Sequence, residues 1–350
     1  MEDKDVLLAT SHKKALRMPA FMRSILLHLL RDKRELQTVF VLLRFIFTML
    51  PCACAVFCSG SHLAGLLYVT LMATTFSTDT LTAMHHFMHN HRAFKHKAAT
   101  WFVSILSSVL HGIPITSYQV LHVCMHHHHS NDPRIDITST APFQRDSGLQ
   151  FLWYSLTRWM LLPWVMLPYY AFQRRRYRLS LCSALCMASH LAVIAALLRY
   201  NRPAAVWLFI VPTLATLLAF SLHNWGQHMF LHPEKHAEQL HLSYNIINTP
   251  SGAKPPCHAA VFNEGYHAIH HNSPLVHWSD CPAFFRDNMD AYRREGCFYF
   301  KNIDSVGIAL ASFRGRYDIL SKHLTRLDGD RSEDDATFLR KRLAPIRRAV

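Results

Sequence analysis

The chain has 350 residues, half of them hydrophobic and only 17% charged, whereas a soluble domain carries about 25% charged residues. This shortfall points to a membrane protein. With 11 glycines and no low-complexity runs, it also excludes a collagen and a disordered chain. The 37 Lys and Arg exceed the 23 Asp and Glu to give a formal charge of +14. We read that excess as a topology signal of membrane-flanking loops and expect no nucleic-acid partner.

Residues 1–36 are polar and basic, with Lys4, Lys13, Lys14, Arg17, Arg31, Lys33 and Arg34 among them. Within them, Phe21–Leu30 is short and broken by Arg23 and His28. It predicts a helix on the membrane surface or against the protein body, and not a secretory signal. Gln37–Phe57 is the first predicted span, roughly 31 Å long as a helix. Its one charge, Arg44, is placed either to snorkel or to face protein. After the loop Cys58–His62, Leu63–Leu81 returns and closes a helical hairpin.

Ala98–His111 is apolar but too short to span, and it predicts a buried or interfacial helix stopped by Gly112 and Pro114. Phe151–Phe172 has the length of a span, but Arg158, Pro163 and Pro168 interrupt it. Its crowd of Trp and Tyr residues suits the headgroup level, so it predicts an interfacial segment. Leu179–Leu198 and Ala204–Leu222 form a second hairpin around the turn Arg199–Pro203. The membrane domain is thus expected over residues 37–290, with spans at about 37–57, 63–81, 179–198 and 204–222, followed by a cytosolic helical tail over 291–350. Basic residues before the first span and at Arg174–Arg178 should stay cytoplasmic. Both termini and everything between the hairpins then share that side.

The nine cysteines include no CxxC pair, and five of them (Cys52, Cys54, Cys58, Cys182, Cys186) sit in apolar segments. Neither a disulfide framework nor a thiolate zinc site is expected. Half of the 26 histidines instead fall in four clusters on the cytoplasmic side. They are His85-His86-x2-His89-x-His91, His122-x3-His126-His127-His128-His129, Asn224-x3-His228 and His267-x2-His270-His271. Residues three or four apart share a helix face, so these side chains can converge below the membrane. Neutral imidazole suits Fe, Zn, Cu and Ni. There are more imidazoles than one metal can use, which implies two metals. No His-Glu-x-x-His zinc-hydrolase motif is present.

These clusters resemble the histidine boxes of the membrane fatty acid desaturase superfamily, which also contains hydroxylases and ketolases. His86-x4-His91, His122-x3-His126-His127 and His267-x2-His270-His271 match its three boxes in order. Asn263–His271 resembles the last box of stearoyl-CoA-type enzymes, and Asn224-x3-His228 matches their additional element. The likeness covers roughly residues 37–285. It implies an all-α integral membrane fold, with four transmembrane helices in two hairpins and a cytosolic helical cap holding a histidine-rich di-metal site. It also implies nine iron ligands, His86, His91, His122, His126, His127, His228, His267, His270 and His271, with Asn224 reaching one iron through water. The first cluster equally admits a His85-x3-His89 register, and His128 and His129 offer alternatives in the second.

The implied activity is an O2-dependent desaturase with two non-heme irons, acting on an acyl-CoA or other lipid chain. A lipid hydroxylase or other oxygenase on the same scaffold is the alternative, and a non-enzymatic metal-binding membrane protein is the third reading. No His-Pro-Gly-Gly heme motif is present, so electrons are expected from a separate cytochrome b5 or ferredoxin type of donor. The endoplasmic reticulum fits a eukaryote and the inner membrane a bacterium. Ligand imidazoles usually donate their second N–H to a carboxylate or carbonyl. Asp132, Asp136 and Glu264 are candidates for that role.

Overall fold

Leu36–Ser59 is a 24-residue helix, apolar almost throughout, and its end is written in the sequence. Gly60 takes the left-handed conformation (φ 56°) that terminates a helix. Ser61 then caps the next helix by accepting a hydrogen bond from the Ala64 amide. Val39, Leu42, Phe45, Ile46 and Met49 bury one face of the helix, while Phe47, Leu50 and Phe57 remain exposed on the other. Arg44 faces protein: it pairs with Asp79 at 2.9 Å and lies over the Phe76 ring.

The computed structural model describes residues 18–90, 93–114, 116–129, 131–235, 238–247, 262–330 and 332–346. They are mostly helical and fall into two compact units. The first comprises the described residues of Lys14–Cys124 and Met160–Leu218, and the second those of Met125–Trp159 and Ala219–Val350.

Among the described residues, three helices are long and apolar enough to cross a membrane: Lys33–Ser59, Tyr177–Tyr200 and Arg202–Gln227. The segment expected as the second span is helical without a break from His62 to His89. Its apolar part is shorter, His62–Phe76, because Thr78, Asp79 and Thr80 follow it. On Tyr177–Tyr200 only Ser183 and Met187 are buried. Leu181, Leu185, Leu191, Val193 and Leu198 are bare, a surface suited to hydrocarbon rather than water. Gly65 allows its helix to meet the Trp207 side chain, since a Cβ there would lie 2.1 Å from the indole. Lys97–Leu110 is the short helix expected, and it packs against Leu36–Ser59. The aromatic segment comes in pieces, Gly148–Tyr154, a π-helical Ser155–Leu161 and Pro163–Gln173, with Pro163 opening the last.

The second unit contains a small sheet that the all-α expectation lacks. It is formed by β1 (Asn245–Ile247), β2 (Phe298–Lys301) and β3 (Leu324–Arg326). β1 runs parallel to β2 with Ile246 opposite Phe300, and β3 runs antiparallel with Leu324 opposite Phe300. Strands of three or four residues are too short to show an alternating pattern in sequence. Around β1 and β2, Ile247, Tyr266, Ile269, Phe285 and Tyr299 form a core. The C-terminal residues belong to this unit. β2, β3 and the helices Ser305–Phe313, Tyr317–His323 and Asp335–Lys341 all lie within it. Ser305 packs backbone-close to Gly226, where a Cβ would meet the Ser305 carbonyl oxygen at 2.2 Å.

Candidate metal centre

The last histidine cluster sits on a helix that the sheet positions. Phe262 and Asn263 adopt left-handed conformations (φ 53° and 52°), and the Asn263 carbonyl accepts from the Tyr266 amide at 2.9 Å. The helix His267–Asn272 follows. Asn245 of β1 accepts from the Ala268 amide through its Oδ1 at 3.1 Å and so satisfies a helix-start donor. His267 and His271, one turn apart, bring their Nε2 atoms within 3.1 Å of each other.

His228 comes to the same place from the end of the helix Val211–Gln227, its Nε2 3.1 Å from His267 Nε2. Its Nδ1 donates to the Leu242 carbonyl at 2.8 Å, which leaves Nε2 as a bare lone pair. His126 completes the group, its ring 4.9 Å from His228 and 4.7 Å from His271. Its Nδ1 donates to Asp136 at 2.8 Å, so its Nε2 also presents a lone pair. One nitrogen from each of His126, His228, His267 and His271 lies within 4.8 Å of the others, and all four residues are buried.

The carboxylate behind His126 is itself held. Asp136 is completely buried and accepts from the Thr138 amide (2.8 Å) and hydroxyl (2.7 Å). Burial alone would raise its pKa, but His126 and these hydrogen bonds outweigh that and hold it below the usual carboxylate range. Burial, and His126 beside it, push His228 down to about 3. Burial and the neighbouring His271 and His228 hold His267 well below its ordinary value. His228 and His267 are therefore held in the neutral form, the one that binds metal.

Of the other carboxylates singled out in the sequence, Glu264 Oε1 is 3.2 Å from Gln227 Nε2 and 3.9 Å from His267 Nδ1, the latter beyond hydrogen-bond range. Asp132 binds Arg134 at 2.7 Å and shapes the turn, its carbonyl accepting from the Asp136 amide.

His127 and His270 face each other beside the tetrad, with ring centroids 4.4 Å apart. The Asn224 amide donates to the Thr138 carbonyl (3.1 Å) and to the Tyr154 hydroxyl (2.7 Å). Its nitrogen thus braces the Asp136 turn and leaves Oδ1 as its acceptor. The His128 and His129 rings meet edge to face, centroids 4.7 Å apart, and neither belongs to the tetrad.

In the first unit the described residues gather His85, His89 and His122. His85 Nε2 is 2.9 Å from His122 Nε2, and the His89 and His122 rings are 5.0 Å apart. Tyr118 stacks flat on His122. His86 lies against the outer face of His85, rings 5.1 Å apart and nearly parallel, and is not among the grouped ligands. His91 lies outside the described residues. His122 is carried on the π-helical stretch Gln119–His126, a backbone form frequent at functional sites.

The donor set fits a metal of the iron or zinc type. Lone pairs from several buried imidazoles directed into one space repel one another unless a cation lies among them, and imidazole nitrogen is a donor these metals favour. Thr138, Tyr154 and Arg145 are parts of the scaffold that the sequence reading missed. Only the Asp-x-Thr turn at 136–138, a local pattern in which a carboxylate accepts from the backbone amide two residues on, carries a signal for one of them.

The family model described as fatty acid desaturase matches residues 20–302. No curated protein and no solved structure matches the chain.

Proposed function

Because the chain belongs to the fatty acid desaturase family, we propose that it is a membrane-bound, O2-dependent di-iron oxidoreductase that desaturates the acyl chain of a lipid or acyl-CoA. The buried tetrad of His126, His228, His267 and His271, with its Asp136 and Leu242 acceptors, carries this reading. These four residues would hold one iron. The imidazoles grouped in the first unit, His85, His89 and His122, would be a supply for the second. Held there, iron would supply the O2 activation needed to remove hydrogens from an unactivated C–H bond. The protein holds His228 and His267 in the neutral form, fixes the tautomers of His126 and His228 through Asp136 and Leu242, and buries all four side chains. Electrons come from a separate donor protein. Hydroxylation on the same scaffold is the second reading, favoured by the grouping of His85 with His89, a spacing that resembles that of many hydroxylases.

Expression in cells, followed by mass spectrometry of their lipids, tests the activity. New double bonds are expected with the wild-type chain and not with His271→Ala. New hydroxyl groups would select the hydroxylase reading. An unchanged lipid profile at normal protein level and normal iron content would refute both.

We further propose that the helix from His62 serves as the fourth span, its short apolar length extended by the Arg44–Asp79 pair, which removes two charges from contact with lipid. The exposed Arg174–Arg178 loop and both termini are then cytoplasmic. Labelling of single cysteines placed in that loop, in a background freed of native cysteines, is expected only from the cytoplasmic side. Reaction from the opposite side would split the histidine clusters across the membrane and end the common-site reading.

A further inference from the structure

A third set of ligating groups lies in the second unit and shares no residue with the histidine tetrad. His241 ends the short turn Gln239–His241 and is only 7% exposed. Its Nε2 is buried without a hydrogen-bond partner and stands 3.9 Å from Glu295 Oε2. Glu238, three residues earlier, is tied to it through the main chain, the His241 amide donating to the Glu238 carbonyl at 2.9 Å. Glu295 follows the helix Met289–Arg294, and Gly296 turns the chain away in a left-handed conformation (φ 65°). One ligand atom from each of Glu238, His241 and Glu295 lies within 4.8 Å of the other two. Lys235 Nζ, 3.3 Å from Glu295 Oε2, gives that carboxylate a counter-charge but leaves His241 Nε2 without a partner.

We propose that Glu238, His241 and Glu295 bind a divalent transition-metal ion, zinc being the natural probe, at a site separate from the irons. One imidazole and two carboxylates match the donors zinc accepts, with a fourth position open to water. A nitrogen donor disfavours calcium and magnesium, which prefer all-oxygen shells.

The site also has a structural consequence. His241 directly precedes Leu242, whose carbonyl orients His228. A metal joining His241 to Glu295 braces the chain on which that iron ligand depends. The proposal goes beyond the desaturase reading and holds or fails independently of it.

The test uses the full-length protein purified with its iron. After equilibration with zinc and removal of the excess, both metals are counted per chain. The wild type is expected to retain one zinc more than His241→Ala and Glu295→Gln, which keep no more iron than the wild type. Lys235→Met removes the competing ammonium and leaves the three ligands in place. It is expected to bind zinc about fivefold more tightly, the scale of one exposed charge pair. Equal zinc in the wild type and both ligand variants overturns the site. So does an unchanged zinc affinity in Lys235→Met, which decides the matter if the ligand variants fail to fold.

Discussion

Replacing His126, His228, His267 or His271 by Ala is expected to reduce lipid oxidation to background and to lower the iron content, with membrane insertion intact. Each variant removes one of four buried nitrogens that converge on a single point, and the proposed metal pair would be left with an open, water-filled position in place of a ligand. Asp136→Asn should be milder. The amide oxygen can still accept from His126 Nδ1, but the negative charge that strengthens the imidazole as a donor is gone. A loss of roughly 10–100-fold in activity or iron affinity is expected, the usual cost of altering such an outer partner. In the first cluster, His85→Ala and His89→Ala should be inactive and His86→Ala active, because His85 and His89 approach His122 and His86 does not. The opposite pattern, with His86 and His91 essential and His85 dispensable, would show that the family's longer spacing applies here. Full activity in every one of these variants, at normal protein levels, would remove the metal reading altogether.

Arg145→Met is expected to destabilise the second unit by about 3–5 kcal/mol, the cost of breaking up a buried charged network. Arg145 has no solvent exposure. Its guanidinium donates to the carbonyls of Met229 (2.7 Å), Ala141 (3.0 Å), Phe143 (3.2 Å), Arg342 (2.9 Å) and Ala344 (2.7 Å). Burial lowers its pKa, but only to about 9, so it remains charged at neutral pH. The methionine fills much of the volume but leaves these oxygens buried and unsatisfied, each a desolvation cost. Met229 adjoins the ligand His228, and the Thr140 hydroxyl donates to the His228 carbonyl at 2.6 Å. Loss of Arg145 should therefore lower iron content as well as thermal stability in detergent. A variant that melts with the wild type and keeps its iron would show that these hydrogen bonds do not hold the site together.

Much of the architecture was legible in residue order because its causes are local. The first span, its glycine stop and the second hairpin follow from apolar length and from Gly60, Ser61 and Pro203. The short helix at Lys97–Leu110 follows in the same way. The histidine clusters were equally plain, and spacing within one turn correctly placed His267 and His271 on one face. The length of the second apolar helix was less secure. The expected span runs to Leu81, whereas the apolar part ends at Phe76, the helix beyond it turns polar, and Asp79 pairs with Arg44 from another segment.

What the sequence by itself determined is thus the membrane class, the helical content and the chemistry of the donors, all properties of neighbouring residues. The tertiary structure alone decided which histidines meet. His85 and His86 are adjacent in the chain, and only packing against His122 separates their roles. It likewise chose Asp136 over Asp132 as the partner of His126, because one carboxylate is buried behind the ring and the other turns outward to Arg134. The three-stranded sheet and the Arg145 network depend on pairings between residues far apart, such as Asn245 with Tyr299 or Arg145 with Arg342. Helix and strand periods relate residues within a few positions. They carry no information about partners that only the closure of long loops brings together.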